Sequence, residues 1–194
     1  MNLEGALTWA FEFEGQPPFA GFRQLASDGL DLPVLNVFRM FGKMSGQKLA
    51  VTSSSGFDAR WILKSGVRGA PDVSAEASLD KNKLCVLLWH YHDDDVPGPD
   101  AQVELNLTGL AIADGPLRAQ QFRIDAEHSN AYAAWQRMGQ PSQPSPEQYA
   151  ALEAAGKLAA LNQPKSLRVR NGAAKIKLDL PRQAVSLLVL TWTP

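Results

Sequence analysis

Hydrophobic positions follow two different periods along the chain. Residues 6–13 are an apolar run, Leu7-Thr-Trp9-Ala-Phe11-Glu12-Phe13-Glu14, with two carboxylates at its far end and a Gly/Pro-rich loop after it. The run predicts a short buried strand, and residues 21–25 a second extended piece. Asp28-Gly29 marks a turn. Pro33 suits the first turn of a helix, and Val34, Val37, Phe38 and Phe41 recur at helical spacing until Gly42 and Gly46 close it. Residues 1–45 therefore predict strand, loop and helix, a single βα unit. A complete (β/α)₈ barrel takes roughly 30 residues per unit, so such a piece would be one-eighth of a barrel.

From Gln47 onward the period falls from 3.6 to 2. Strands are expected at 47–54, 59–64, 73–78, 83–91, 101–108, 118–126, 165–171, 174–180 and 184–192. Val103, Leu105 and Leu107, like Ile176, Leu178 and Leu180, alternate with polar residues, as antiparallel strands with one wet face do. The runs 84–89 and 185–192 are apolar nearly throughout, as central strands are. Asn171-Gly172 is a two-residue hairpin signal. One helical insertion, about 129–162, interrupts the pattern; within it Ser145-Pro-Glu-Gln148 supplies an N-cap, a proline at the first helical position and a capping-box partner. The fold class expected is mainly β: an antiparallel β-sandwich with a helical insertion over 46–194, preceded by one βα unit over 1–45.

Composition narrows the function classes. With 194 residues, a net charge of −1 and a pI near 6.3, there is no electrostatic reason to expect nucleic acid or an anionic membrane as partner. Cys85 is the only cysteine, which excludes an intrachain disulfide, and its apolar surroundings predict a buried, inert thiol. No apolar stretch approaches the ~20 residues that span a bilayer. The first residues lack the features of a secretory signal, which leans toward the cytoplasm and leaves the compartment open.

The candidate chemistry sits at the first strand. On a strand, Glu12 and Glu14 would point to the same side. Paired carboxylates are what glycoside hydrolysis uses, but that pair works from opposite sides of the scissile bond. Binding of sugar hydroxyls therefore suits Glu12 and Glu14 better than cutting, with a solvated strand end as the plain alternative. Trp9 could stack on a sugar ring, although from the residues alone a core tryptophan is the better-supported reading. His90-Tyr-His92-Asp-Asp-Asp95 could in principle ligate a metal; acidic residues at a strand-to-loop junction are more simply local hydrogen-bond acceptors. Around Arg123, Asp125 and His128 no nucleophile elbow is present, and an ion-paired strand-to-helix junction is expected. Trp61, Trp89, Trp135 and Trp192 read as core residues.

With these residues in view, the chain resembles glycoside hydrolase family 39, which contains the β-xylosidases. Trp9-Ala-Phe-Glu-Phe-Glu14, Pro18-Phe-Ala-Gly-Phe22 and the segment 29–41 resemble the last βα unit of that family's catalytic barrel. Tyr91-His-Asp-Asp-Asp95, Arg123-Ile-Asp125, His128-Ser-Asn-Ala-Tyr132, Trp135 and Gly139-Gln-Pro141 resemble its C-terminal sandwich and helical insertion. The resemblance implies a retaining hydrolysis of β-xylosides, as in xylan degradation, without metal or cofactor. It places the acid/base glutamate on the fourth barrel strand and the nucleophile on the seventh, and neither motif occurs here. It leaves Trp9 as a subsite wall and Glu12 and Glu14 as hydroxyl-binding carboxylates, with no catalytic residue in this chain. The partners it implies are a xylo-oligosaccharide or aryl xyloside in the intact enzyme, and either the missing barrel portion or a second copy of the chain. The other reading is a non-catalytic carbohydrate-binding or subunit-interaction sandwich.

Overall fold

The computed structural model describes residues 10–21, 23–161 and 163–193. In chain order the elements are β1 (Ala26–Ser27), β2 (Leu30–Asp31), α1 (Pro33–Phe41), β3 (Gln47–Leu49), α2 (Ala59–Ser65), β4 (Asp72–Asp80), β5 (Lys83–Tyr91), β6 (Ala101–Leu107), β7 (Gly115–Ile124), α3 (Ala131–Arg137), α4 (Pro146–Gly156), β8 (Lys165–Val169), β9 (Ala174–Leu180) and β10 (Val185–Thr191). Compactness gathers them into two units. One holds the residues up to Arg39 together with Ala126–Ala159, and the other holds Met40–Asp125 with the residues from Ala160 onward. The helical insertion thus groups with the N-terminal segment, a grouping that a sequence boundary near residue 45 does not draw.

In the first unit, β1 and β2 form a two-residue hairpin around Asp28-Gly29, both at positive φ. That is the backbone a tight hairpin turn requires. Leu30, Ala131, Ala134 and Leu152 make a small core, with Phe19, Trp135 and Met138 packed against it. The capping box at Ser145 and Gln148 starts α4 as the sequence predicts. The helix ends at Gly156. A Cβ there would stand 2.9 Å from the Asp31 carbonyl oxygen, so this close approach of backbone to backbone needs glycine.

Helix α1 spans the predicted residues but turns the other way. Val34, Phe38 and Phe41 are 43%, 41% and 46% exposed, while Asn36 is fully buried. Asn36 Nδ2 donates to the carbonyls of Ser129 (3.0 Å) and Gly156 (2.7 Å), and Oδ1 accepts from Arg39 at 2.9 Å. A fully bonded amide can be buried at small net cost.

The second unit is the sandwich. Its large sheet runs β3-β4-β5-β10-β7-β8, antiparallel at every pairing, and β6 pairs with β9 in a smaller sheet. Registers such as Ala77↔Val86↔Leu188 align the inward residues across three strands. Leu84, Val86, Leu88, Leu117, Val169, Leu180, Leu188, Leu190 and Trp192 form the shared core. The fold is mainly β with antiparallel sheets. Asn171 and Gly172 both take positive φ, as expected for their turn. It joins β8 of the large sheet to β9 of the small one, so the turn is a corner between sheets instead of a continuous hairpin.

The strand expected at 59–64 is a helix, α2. Asp58 caps it by accepting from Trp61 N at 2.8 Å, and Gly66 closes it through the Ile62 carbonyl. These start and stop signals outweigh the short apolar run between them. No residue of α2 is buried, and Trp61 is 53% exposed; it is not a core residue. The strand expected at 47–54 ends at Leu49.

Candidate functional site

The N-terminal segment docks on the β1–β2 hairpin within the first unit. Ala10 bridges Gln24 in parallel, the Phe11 carbonyl accepts from both Leu25 N (2.8 Å) and Ala26 N (2.9 Å), and Gln24 Oε1 accepts from Phe13 N at 3.2 Å. Beyond Ala10 the ladder stops, and Glu14-Gly15 form a turn. The regular strand expected to hold two carboxylates on one face is therefore absent from the described residues. Glu12 is half-buried, and its Oε1 accepts from Gly29 N at 2.8 Å. This bond orients the carboxylate and steadies the hairpin turn. Glu14 is exposed in its own turn. Trp9, the third candidate, lies outside the described residues.

Beside this segment lies an aromatic group that pattern-reading alone does not find. The Phe19 ring meets those of Tyr132 and Trp135 at 5.6 and 5.1 Å, and Tyr132 is 41% exposed. Phe19 takes a positive φ of 61° and donates its N–H to Ser27 Oγ at 2.7 Å. Helical spacing offers Tyr132 and Trp135 as neighbours, but nothing in the local sequence places Phe19 against them. A polar cluster completes the unit. The Arg39 hydrogen bond to Asp31 (2.7 Å), with Lys157 at 3.6 Å, holds the Asp31 carboxyl below its ordinary range despite burial.

The histidine-rich stretch at the end of β5 is structural in its contacts. His90 Nδ1 lies 2.9 Å from the Leu180 carbonyl oxygen. Asp93 accepts from Val67 N at 2.9 Å, Asp94 pairs with Arg182, and Gln183 donates to the His92 and Asp94 carbonyls. Among the described residues no group of three or more His, Cys, Asp or Glu side chains gathers where it could hold a metal. Cys85 is fully buried, and that burial pushes its thiol up, away from the reactive thiolate.

His92 should make the sandwich less stable in acid. It is buried, its Nδ1 has no hydrogen-bond partner, and burial, followed by Arg182 and His90, lowers its pKa against the opposing pull of Asp94 and Asp93. The unfolded chain therefore takes up the His92 proton first. This contribution is fully present above pH ~6.5 and is lost as pH falls from there toward the lowered folded value. The urea midpoint should fall between pH 7.5 and 5.5, and His92→Phe should flatten that slope. An unchanged slope in the variant would assign the acid response to other groups.

The profile of glycosyl hydrolases family 39 matches residues 5–172. The chain belongs to that family. Solved structures agree on its fold. A family-39 enzyme from Xanthomonas axonopodis pv. citri superposes with a TM-score of 0.71 at 18% identity, over 91% of this chain and 34% of its own. A monomeric β-xylosidase from Caulobacter crescentus gives 0.73 at 18% identity, over 96% and 37%. A bacterial orthologue of human α-L-iduronidase gives 0.64 at 19%, over 84% and 28%. This family-39 chain thus spans about a third of the length of the enzymes it matches. No curated protein matches its sequence.

Proposed function

We propose that this chain is the C-terminal portion of a retaining, β-xylosidase-like glycoside hydrolase of family 39. It would comprise the last βα unit of the catalytic barrel, followed by an accessory sandwich that carries the helical insertion. In the intact enzyme Trp9 would form a wall of the sugar subsite, and Glu12 and Glu14 would bind sugar hydroxyls; Glu12 is the better prepared, since Gly29 already orients it. The acid/base and nucleophile glutamates would come from the part of the enzyme outside this sequence, so the chain by itself would not hydrolyse xylosides.

The observation that carries this reading is helix α1. It buries an asparagine and exposes Val34 and Phe38 one turn apart, with Phe41 on the same side. A helix facing only water would place these groups the other way round. An outward apolar face on a helix directly after the β1–β2 hairpin is what a barrel segment separated from its neighbours would show.

Sedimentation velocity tests this. The chain should self-associate with increasing concentration, and the double substitution Val34→Lys, Phe38→Lys should return it to monomer. A monodisperse monomer at all concentrations would contradict the reading. Calorimetry with xylohexaose separates it from a sugar-binding module, which would bind without help from the rest of an enzyme.

A further inference from the structure

Trp89 and Tyr91 alternate along β5 with the core residues Leu84, Val86 and Leu88, so they stand on the sheet face turned away from the sandwich core. Asp72, opposite Tyr91 on β4, bonds in two directions. Its Oδ2 accepts from Trp89 Nε1 at 2.7 Å, and its Oδ1 accepts from Phe57 N at 2.8 Å. Phe57 in turn meets Trp61 of α2, with ring centroids 6.2 Å apart and planes at 43°. One carboxylate thus joins two aromatic pairs, Trp61 with Phe57 and Trp89 with Tyr91, into a band within the second unit. Trp61 and Tyr91 are its exposed members, and Phe57 and Trp89 are half-buried. A recess of about 360 Å³ is bordered by Trp89, Tyr91 and Val185.

The charges beside this band are of one sign and unused. Arg60 and Lys64 lie one helical turn apart on α2, and Trp61, three residues before Lys64, shares their side. Both cations are exposed, and among the described residues neither has a carboxylate partner. The neighbouring carboxylates are already engaged. Asp58 caps α2 through Trp61 N, Asp72 holds Phe57 and Trp89, and Asp93 accepts from Val67 N and faces Arg68 at 3.7 Å. Insertion into a membrane surface needs one continuous apolar face, whereas the two cations separate Trp61 from Leu63 around the helix. Open aromatic faces with free cations at their edge suit a ligand that offers flat C–H surfaces and an anion together.

We propose that this band is a binding site for an acidic glycan, a run of pyranose rings that carries a uronic acid. Sugar rings lie on Trp61 and Phe57, whose tilt follows a glycan that twists from one residue to the next, and the glycan continues toward the recess at Trp89 and Tyr91. The uronate carboxylate sits between Arg60 and Lys64, where it receives charge-assisted hydrogen bonds. The site is built from the sandwich unit alone, so it does not depend on where the catalytic glutamates lie.

Titration calorimetry of the purified chain tests this, with a xylotriose bearing one glucuronic acid as the probe and neutral xylotetraose as its match in ring number. The acidic sugar should bind roughly tenfold or more tightly than the neutral one, and added salt should narrow that difference. Trp61→Ala should weaken binding of the acidic sugar by roughly tenfold. Arg60→Gln combined with Lys64→Gln should erase the preference for the acid. All three side chains are exposed, so the variants should melt close to the unchanged chain. Equal affinity for the two sugars, no binding of the acidic one, or full binding by Trp61→Ala would each overturn the proposal. So would capture of hexaglutamate that Trp61→Ala leaves intact, because it would assign the cations to an acidic polypeptide. None of these results touches α1 self-association or xyloside hydrolysis, so this site and the proposed function fail separately.

Discussion

Replacing Asn36 with alanine is expected to destabilise the first unit by about 2–4 kcal/mol, because two buried carbonyls lose their donor together. The Asn36 amide reaches Ser129 and Gly156, which are far apart in sequence, and it also accepts from Arg39, which in turn holds Asp31. One side chain thus ties α1 to both ends of the helical insertion. Asn36→Asp keeps the size, removes the donor and aims a carboxylate at two carbonyl oxygens, so it should be at least as damaging. Amide exchange over residues 131–156 under increasing urea would show the loss directly. A change below about 0.5 kcal/mol, the level of an ordinary surface substitution, would mean that Asn36 does not organise the unit.

In the sandwich the largest effect is expected at Leu190. It is fully buried on β10, paired across to Leu84 on β5 and to Ala119 on β7. Leu190→Ala opens a cavity where two neighbouring strands both limit collapse, which should cost about 2–5 kcal/mol. For a chain of this size the melting temperature would drop by roughly 5–15 °C. Leu63→Ala is the matched control, since Leu63 is 82% exposed on α2 and should move the melting temperature little. Equal losses at both positions would contradict the placement of the core in the sandwich.

Much of the sandwich was legible because its strands are simple in pattern. β5 and β9 span the predicted 83–91 and 174–180, one apolar nearly throughout and the other strictly alternating. Helix α1 also spans its predicted residues. Its orientation was not legible, since the apolar spacing marks Val34, Phe38 and Phe41 as a face to bury and marks Asn36 as exposed. The reversal depends on the carbonyls of Ser129 and Gly156, about a hundred residues away, and no local pattern carries that information. Helix α2 was missed because a seven-residue element contains too little apolar periodicity to outweigh a short run; its Asp58 cap and Gly66 stop were the better signals.

The candidate site was less legible than the fold. Glu12 and Glu14 were paired on the assumption of a regular strand, and the chain turns at Glu14-Gly15 instead. Glu12 finds its partner at Gly29, which follows from the fold of the hairpin and not from spacing. The aromatic contact of Phe19 with Tyr132 and Trp135 likewise joins residues more than a hundred positions apart.

On the reading proposed above, this family-39 chain would carry a sugar-holding edge without the residues that cut. Incubating the purified chain with an aryl β-xyloside and following release of the phenol tests it most directly. The account predicts no release above the buffer background at any pH between 5 and 8. Turnover well above background, abolished by Glu12→Gln or Glu14→Gln, would contradict it and make those carboxylates catalytic.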